Sequence, residues 1–183
     1  MNTPAKLLAF GGVLTISAFS ALNTYEEMDQ DVPLIVWPTI LLSILAWAIV
    51  SYGVWQLGTQ TNTNARWMAV LLFGVMLVSL FIHRYIGHSG TLGEAAWDIV
   101  AFTVLAIAVG FTAGTMRGML MAAAGAAMLA IAKNVLLPYE ARARTVYGPG
   151  MAFLPIAWAL IVFAATTAAP AQPKLSPYFG GYV

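Results

Sequence analysis

Long runs of apolar residues, separated by short polar stretches, occupy most of this chain. A helix that crosses a bilayer needs roughly 20 predominantly apolar residues, and six runs meet or approach that length. The runs are continuously apolar rather than alternating, which favours helices over a transmembrane barrel. The predicted spans are residues 7–22, 33–57, 67–86, 95–113, 119–137 and 151–169.

The pattern predicts an all-α protein, a polytopic transmembrane helical bundle of about six spans with short loops and no soluble domain, over residues 1–169. The first span shares a lysine, an apolar run and small residues with secretory signal peptides, but we expect it to be retained. Residues 170–183 form a tail rich in Pro and aromatic residues. Such segments favour extended geometry and build no core of their own, so we expect the tail to dock on a neighbouring chain.

Composition agrees with a membrane location. The 183 residues are 61% hydrophobic and 8% charged, with a mean hydropathy of +0.83, whereas a soluble domain carries about 25% charged residues. A net charge of +1 excludes an ordinary nucleic-acid binder. The absence of cysteine excludes disulfide scaffolds and thiolate metal sites. We expect a prokaryotic inner membrane protein.

Basic residues in the loops indicate an orientation, because cytoplasmic loops carry an excess of Lys and Arg. The difference is small, four residues against three, and it favours cytoplasmic N- and C-termini. The inner side would hold Lys6, Arg66, Arg117 and Lys174, and the outer side Arg84, Arg142 and Arg144.

Small residues at intervals of four mark one face of each of two neighbouring helices. Helices in a bilayer associate closely at such faces, and the short connection between these two predicts a tight antiparallel hairpin. The same faces would alternatively receive a partner subunit. The residues are Gly110, Gly114, Gly118, Ala122, Ala126 and Ala130.

Two ionisable residues within the spans are candidates for function, since charge in the hydrocarbon region is costly. If the hairpin turns near residue 116, Asp98 and Lys133 lie at nearly equal depth. An ion pair would relieve both desolvation penalties. The alternatives are separate snorkelling of each group to the interface and a role in proton or substrate handling.

A second cluster lies near the predicted outer ends. His83, His88 and Glu94 could hold a metal ion through nitrogen and oxygen ligands. The alternatives are solvated interfacial histidines, a b-type haem, or hydrogen bonds to a quinone. Lipid or quinone headgroups would bind to Arg84, Arg142 and Arg144. The cofactor stays open between a metal ion and a quinone, with lipids as expected ligands.

Three functions fit these features. The first is a non-catalytic subunit of a larger membrane complex of respiratory, photosynthetic or oxygenase type, bound to other membrane subunits. The second is a small carrier or channel for an apolar or weakly polar solute. The third is a quinone- or metal-linked redox protein that uses His83, His88 and Asp98. No catalytic motif is present, which favours a non-enzyme. The second function predicts a pocket within one protomer, lined by Trp47, Tyr52, Thr103 or Asn134.

Overall fold

The computed structural model describes residues 2–27, 33–61, 66–85, 92–137 and 148–168. These residues form six helices and no strand, so the predicted all-helical architecture is confirmed for this part of the chain. The predicted tail, residues 170–183, lies outside it. The helices are α1 (Thr3–Glu27), α2 (Pro33–Gln60), α3 (Trp67–Tyr85), α4 (Leu92–Ala113), α5 (Met116–Ile131, continued by a π-helical turn, Ala132–Leu136) and α6 (Pro149–Thr166).

Four of the six helices are long and apolar enough to cross a membrane: Trp37–Gln60, Ala95–Ala113, Met116–Leu136 and Pro149–Thr166. The apolar described parts of α1 and α3, Thr3–Ala18 and Trp67–Ile82, are shorter. At 1.5 Å per residue they reach about 24 Å, less than the roughly 30 Å of hydrocarbon. The prediction of six spans is therefore corrected to about four, within a bundle of six helices.

The helices close into a ring, in which each packs against its neighbours in sequence and α6 returns to pack against α1. Helix α4 also contacts α2 and α6, so it fills part of the interior. Asn2 Nδ2 donates to the Ala165 carbonyl at 3.5 Å, and the Thr115 and Thr167 hydroxyls lie 2.7 Å apart. The start of α1, the α4–α5 turn and the end of α6 therefore share one end of the bundle, which we call the Thr115 end.

The α4–α5 hairpin is tight, as the small residues predict. A Cβ on Gly110 would lie 2.9 Å from the Met119 Cα, and Ala122 and Ala126 are buried. The turn itself uses Gly114, whose φ of +71° favours glycine. Thr115 caps α5 by accepting a hydrogen bond from the Gly118 N–H at 3.0 Å.

Gly114 departs from the prediction that placed it on the packing face. Helix α4 ends at Ala113, and nothing lies within 4 Å of a Cβ built on Gly114. Its role is in the turn, because a residue that leaves the helix no longer follows the interval of four.

Large apolar side chains also cover the outside of the bundle. More than half of the Phe81, Leu120 and Phe163 surface is exposed. In water such a surface would drive aggregation, whereas lipid chains solvate it. The outside and the four long apolar helices together indicate a membrane protein.

Candidate ligand cavity

Asp98 and Lys133 are in contact across the α4–α5 hairpin. Lys133 Nζ lies 2.5 Å from Asp98 Oδ2, and the two side chains are 15% and 4% exposed. Asp98 lies about 22 Å along α4 from the Thr115 end, and Lys133 about 26 Å along α5, at 1.5 Å per residue. The similar depth of the two groups follows from the antiparallel hairpin, and an opposite charge at this distance offsets part of the desolvation of each group.

Ser79 of α3 adds a third polar group. Its hydroxyl lies 3.5 Å from Asp98 Oδ1, at the long limit for a hydrogen bond. Ser79 therefore positions the carboxylate only weakly, while Lys133 holds the other carboxylate oxygen.

Lys133 lies in a π-helical turn, a feature that the sequence pattern did not predict. The Leu137 N–H donates to the carbonyl of Ala132, five residues earlier, and Asn134 Nδ2 donates to the Ala130 carbonyl at 3.1 Å. A π turn holds one more residue than an α turn and is frequent at functional sites. Here it lies at the depth where α5 presents its ammonium group to Asp98.

A cavity of about 110 Å³ lies inside the ring, and the ion pair forms part of its wall. Ser79, which contacts the carboxylate, also lines it. The rest of the wall is mainly apolar, and every helix of the ring contributes to it. The contributors from α1 to α6 include, in order, Ile16, Trp47, Met76, Phe102, Leu129 and Trp158.

Two tryptophans form one side of this cavity. The Trp47 and Trp158 rings meet edge to face, with centroids 6.0 Å apart and planes at 68°. Trp158 Nε1 donates to the Leu8 carbonyl at 2.8 Å, which fixes the ring against α1. Gly12 makes this approach possible, because a Cβ there would lie 1.7 Å from Trp158 Nε1. The wall is thus held by a hydrogen bond and by close packing.

Trp158 and Gly12 are functional positions that the sequence pattern did not predict. Tryptophan in a membrane protein usually lies at the interface, whereas Trp158 lies near the middle of an apolar run. That position is the signal which could have identified it. Of the four residues expected to line a pocket, Trp47 does so, whereas Tyr52 and Thr103 are exposed and Asn134 bonds to its own helix.

The small-residue faces serve contacts within the chain. A Cβ on Gly125 would lie 2.6 Å from the Ala157 carbonyl oxygen of α6, and one on Gly118 would lie 2.6 Å from the Thr167 hydroxyl. Gly110 faces α5, and Ala130 is partly buried. These faces join α4 to α5 and α5 to α6.

The outer cluster lies outside what the structure describes. The side chains of His83, Arg84 and Glu94 are not among the described atoms, and neither are residues His88, Arg142 and Arg144. The residues that are described contain no group of three His, Asp or Glu that could hold a metal ion. The predicted metal, lipid and quinone sites therefore stay predictions.

Comparisons of the chain with protein-family models, with curated proteins and with solved structures find no match. Function has to be inferred from the cavity and its wall.

Proposed function

We propose that this chain is a small membrane carrier which binds an apolar or weakly polar solute inside its ring of helices. One observation carries the proposal: a single protomer contains a cavity to which all six helices contribute. Ligand sites in helical bundles typically lie between the helices, in mostly apolar pockets with a few polar groups. This cavity has that composition.

The size of the cavity limits what can fit. An apolar protein cavity of about 150 Å³ binds benzene or xenon. A volume of about 110 Å³ is of the same order, so it suits one small ring or a short branched chain. A larger solute would have to extend beyond the cavity.

The wall argues against a strongly polar solute. Transporters of polar substrates use broken helices whose ends converge on the substrate. Here the Thr15 hydroxyl donates to the Gly11 carbonyl at 2.8 Å, and the Ser43 hydroxyl to the Thr39 carbonyl at 2.9 Å. Both hydroxyls are engaged within their own helices, which leaves less polar wall for a solute.

The other two functions stay predictions. A subunit role drew on the small-residue faces and on the tail, but the faces are used within the chain and the tail lies outside the described residues. A redox role needs the outer histidine cluster, which is also outside them. The cavity supports the carrier proposal.

The expected location, a prokaryotic inner membrane with cytoplasmic termini, is part of the proposal. Lys6, Arg66 and Arg117 are exposed, and each lies next to the Thr115 end, which would face the cytoplasm. The chain has no cysteine, so single cysteines report topology directly. A membrane-impermeant maleimide on intact cells should label Gly148→Cys, at the opposite end, and leave Arg117→Cys unlabelled. The reverse pattern would contradict this orientation.

Photolabelling tests the carrier proposal. A small apolar diazirine, applied to protein in liposomes, should label cavity residues such as Met76 and Leu129 as well as lipid-facing residues such as Phe81. In the variant Ala101→Phe the added ring occupies the cavity, so only the cavity labels should disappear. The matched control is Val100→Phe, which places the same ring on an exposed position and should keep both sets of labels.

Two results would contradict the proposal. One is a wild-type protein labelled on its lipid face alone. The other is cavity labelling that persists unchanged in Ala101→Phe, since a filled cavity has no room for the probe. Circular dichroism of both variants verifies that each is folded.

A further inference from the structure

The polarity of the cavity is concentrated in one place. Trp47, Trp158, Phe102 and Leu129 supply aromatic and aliphatic wall, whereas Asp98 contacts both Lys133 and Ser79. The two other lining hydroxyls, of Thr15 and Ser43, donate to carbonyls of their own helices. A ligand in the cavity therefore meets one polar region and an otherwise apolar surface. This matches an amphiphilic rather than a purely hydrocarbon molecule.

The described residues of the wall carry no net charge. Among the described lining residues, Asp98 and Lys133 are the charged ones, and their charges cancel in direct contact. A charged ligand would leave one charge without compensation in a medium of low dielectric constant, which is strongly unfavourable. A neutral ligand leaves the pair intact.

The polar region can still make a hydrogen bond with a neutral group. An ammonium group donates and a carboxylate accepts, so the pair matches a hydroxyl, which does both, or a carbonyl, which accepts. Hydrogen bonds to charged partners are about twice as strong as those between neutral groups. One such contact is enough to orient a small molecule in an apolar cavity.

We infer that the solute is a neutral amphiphile, a small ring or branched chain with one hydroxyl or carbonyl group, bound with that group at the Asp98–Lys133 pair and its apolar part against Trp47 and Trp158. The inference rests on the proposed function, because it names the ligand class of the same cavity. A hydrocarbon of equal size would bind more weakly, and a cation or an anion more weakly still.

Competition against the apolar diazirine tests this directly. The competitors are toluene, benzyl alcohol, phenyltrimethylammonium and benzenesulfonate, with tert-butylbenzene as the uncharged match in size for the cation. Each competitor is titrated, and its concentration is expressed as that in the membrane, from its measured partition into the same liposomes. Cavity labels are counted, and lipid-face labels serve as the internal reference.

Benzyl alcohol should displace the cavity labels at roughly one tenth of the toluene concentration, as expected for one hydrogen bond to a charged partner. Phenyltrimethylammonium should need at least about tenfold more than tert-butylbenzene, because its charge has no partner. Benzenesulfonate should be similarly weak. This series uses the wild-type protein and needs no variant to fold.

A double variant then assigns the effect to the pair. Asp98→Leu with Lys133→Met replaces both charged groups of the contact by apolar side chains, a change that is tolerated in many proteins. In this variant the advantage of benzyl alcohol over toluene should vanish, while toluene competes within about twofold of its wild-type value.

The outcomes separate the two proposals. If the wild-type cavity is labelled but toluene and benzyl alcohol compete equally, or if a charged competitor is the strongest, the ligand class is wrong and the carrier proposal stands. If the cavity is not labelled, the carrier proposal itself fails. An alcohol preference that persists in the double variant would overturn the assignment to Asp98 and Lys133.

Discussion

At the level of single residues, Asp98 and Lys133 are ionisable residues within apolar helices, and both line the cavity. Each is expensive to place among apolar helices, and each reduces the penalty of the other through a contact of 2.5 Å. Their pairing also defines the polar region in an otherwise apolar cavity. A charged pair that adds little net stability can still determine which ligands bind.

Removing one partner should be more harmful than removing both. Lys133→Met removes the ammonium group that contacts the buried carboxylate of Asp98 and should destabilise the protein by about 3 kcal/mol. Lys133→Met combined with Asp98→Asn removes both charges and should restore most of that loss. Thermal unfolding in one detergent measures both variants. Equal destabilisation by the single and the double variant would show that the two charges do not stabilise each other.

Gly12 is a second residue at which one substitution has a clear expected effect on stability. In Gly12→Ala the new methyl group would overlap the Trp158 ring, so the protein should lose about 1–3 kcal/mol, as in other overpacked cores. The matched control is Gly74→Ala, where nothing lies within 4 Å of the new Cβ. That variant should be neutral or stabilised by up to about 1 kcal/mol, because alanine favours helix. Similar unfolding temperatures for the two variants would exclude this packing.

At the level of helices, the contacts of α5 hold the ring together. Its glycine and alanine faces pack on α4 and α6, Thr115 caps its start, and the π turn presents Lys133 near its end. The helix therefore joins its two neighbours, α4 and α6, and carries half of the ion pair. A loss of packing along α5 would separate the helices α4, α5 and α6, which all contribute to the cavity wall.

Gly125→Ala tests the α5–α6 contact. The added Cβ would lie 2.6 Å from the Ala157 carbonyl oxygen, a backbone atom that cannot rotate away. We expect a loss of about 1–3 kcal/mol and weaker cavity labelling, because α5 and α6 both line the cavity. Differential scanning fluorimetry measures the loss of stability, and photolabelling with the diazirine measures the change in cavity labelling. Ala124→Ser, at an exposed position of the same helix, is the control and should change neither.

Much of the helical layout could be predicted, because each helix follows a long apolar run. The depth of Asp98 and Lys133 could also be predicted, since a short turn fixes the register of an antiparallel hairpin. Three features could not be predicted from the sequence. The described apolar parts of α1 and α3 are shorter than the predicted full spans. The π turn has no signature in the pattern of apolar residues, and Gly114 leaves its helix face at the turn.

The cavity could not be predicted for a physical reason. In a helix that is apolar on every side, the pattern does not tell which side faces lipid and which faces the interior. Trp67 and Trp158 illustrate this: both lie in apolar helices, but one is 58% exposed and the other 4%. Only the packing of all six helices distinguishes them.

At the level of the whole molecule, the proposed function requires a ring of helices with lipid outside and the cavity inside. The exposed apolar side chains and the buried ion pair are then consequences of one arrangement. The carrier proposal and the ligand class both depend on it, because a cavity binds a membrane solute only if the ring itself lies in the membrane.

Tryptophan quenching by brominated phospholipids measures this arrangement directly. Of the six tryptophans, one variant keeps only Trp67 and another keeps only Trp158, with phenylalanine at the other positions. In liposomes the brominated lipids should quench Trp67 several times more strongly than Trp158, since the first ring faces outward and the second lies inside. Equal quenching of the two rings, or no quenching of either, would contradict a helical ring embedded in lipid.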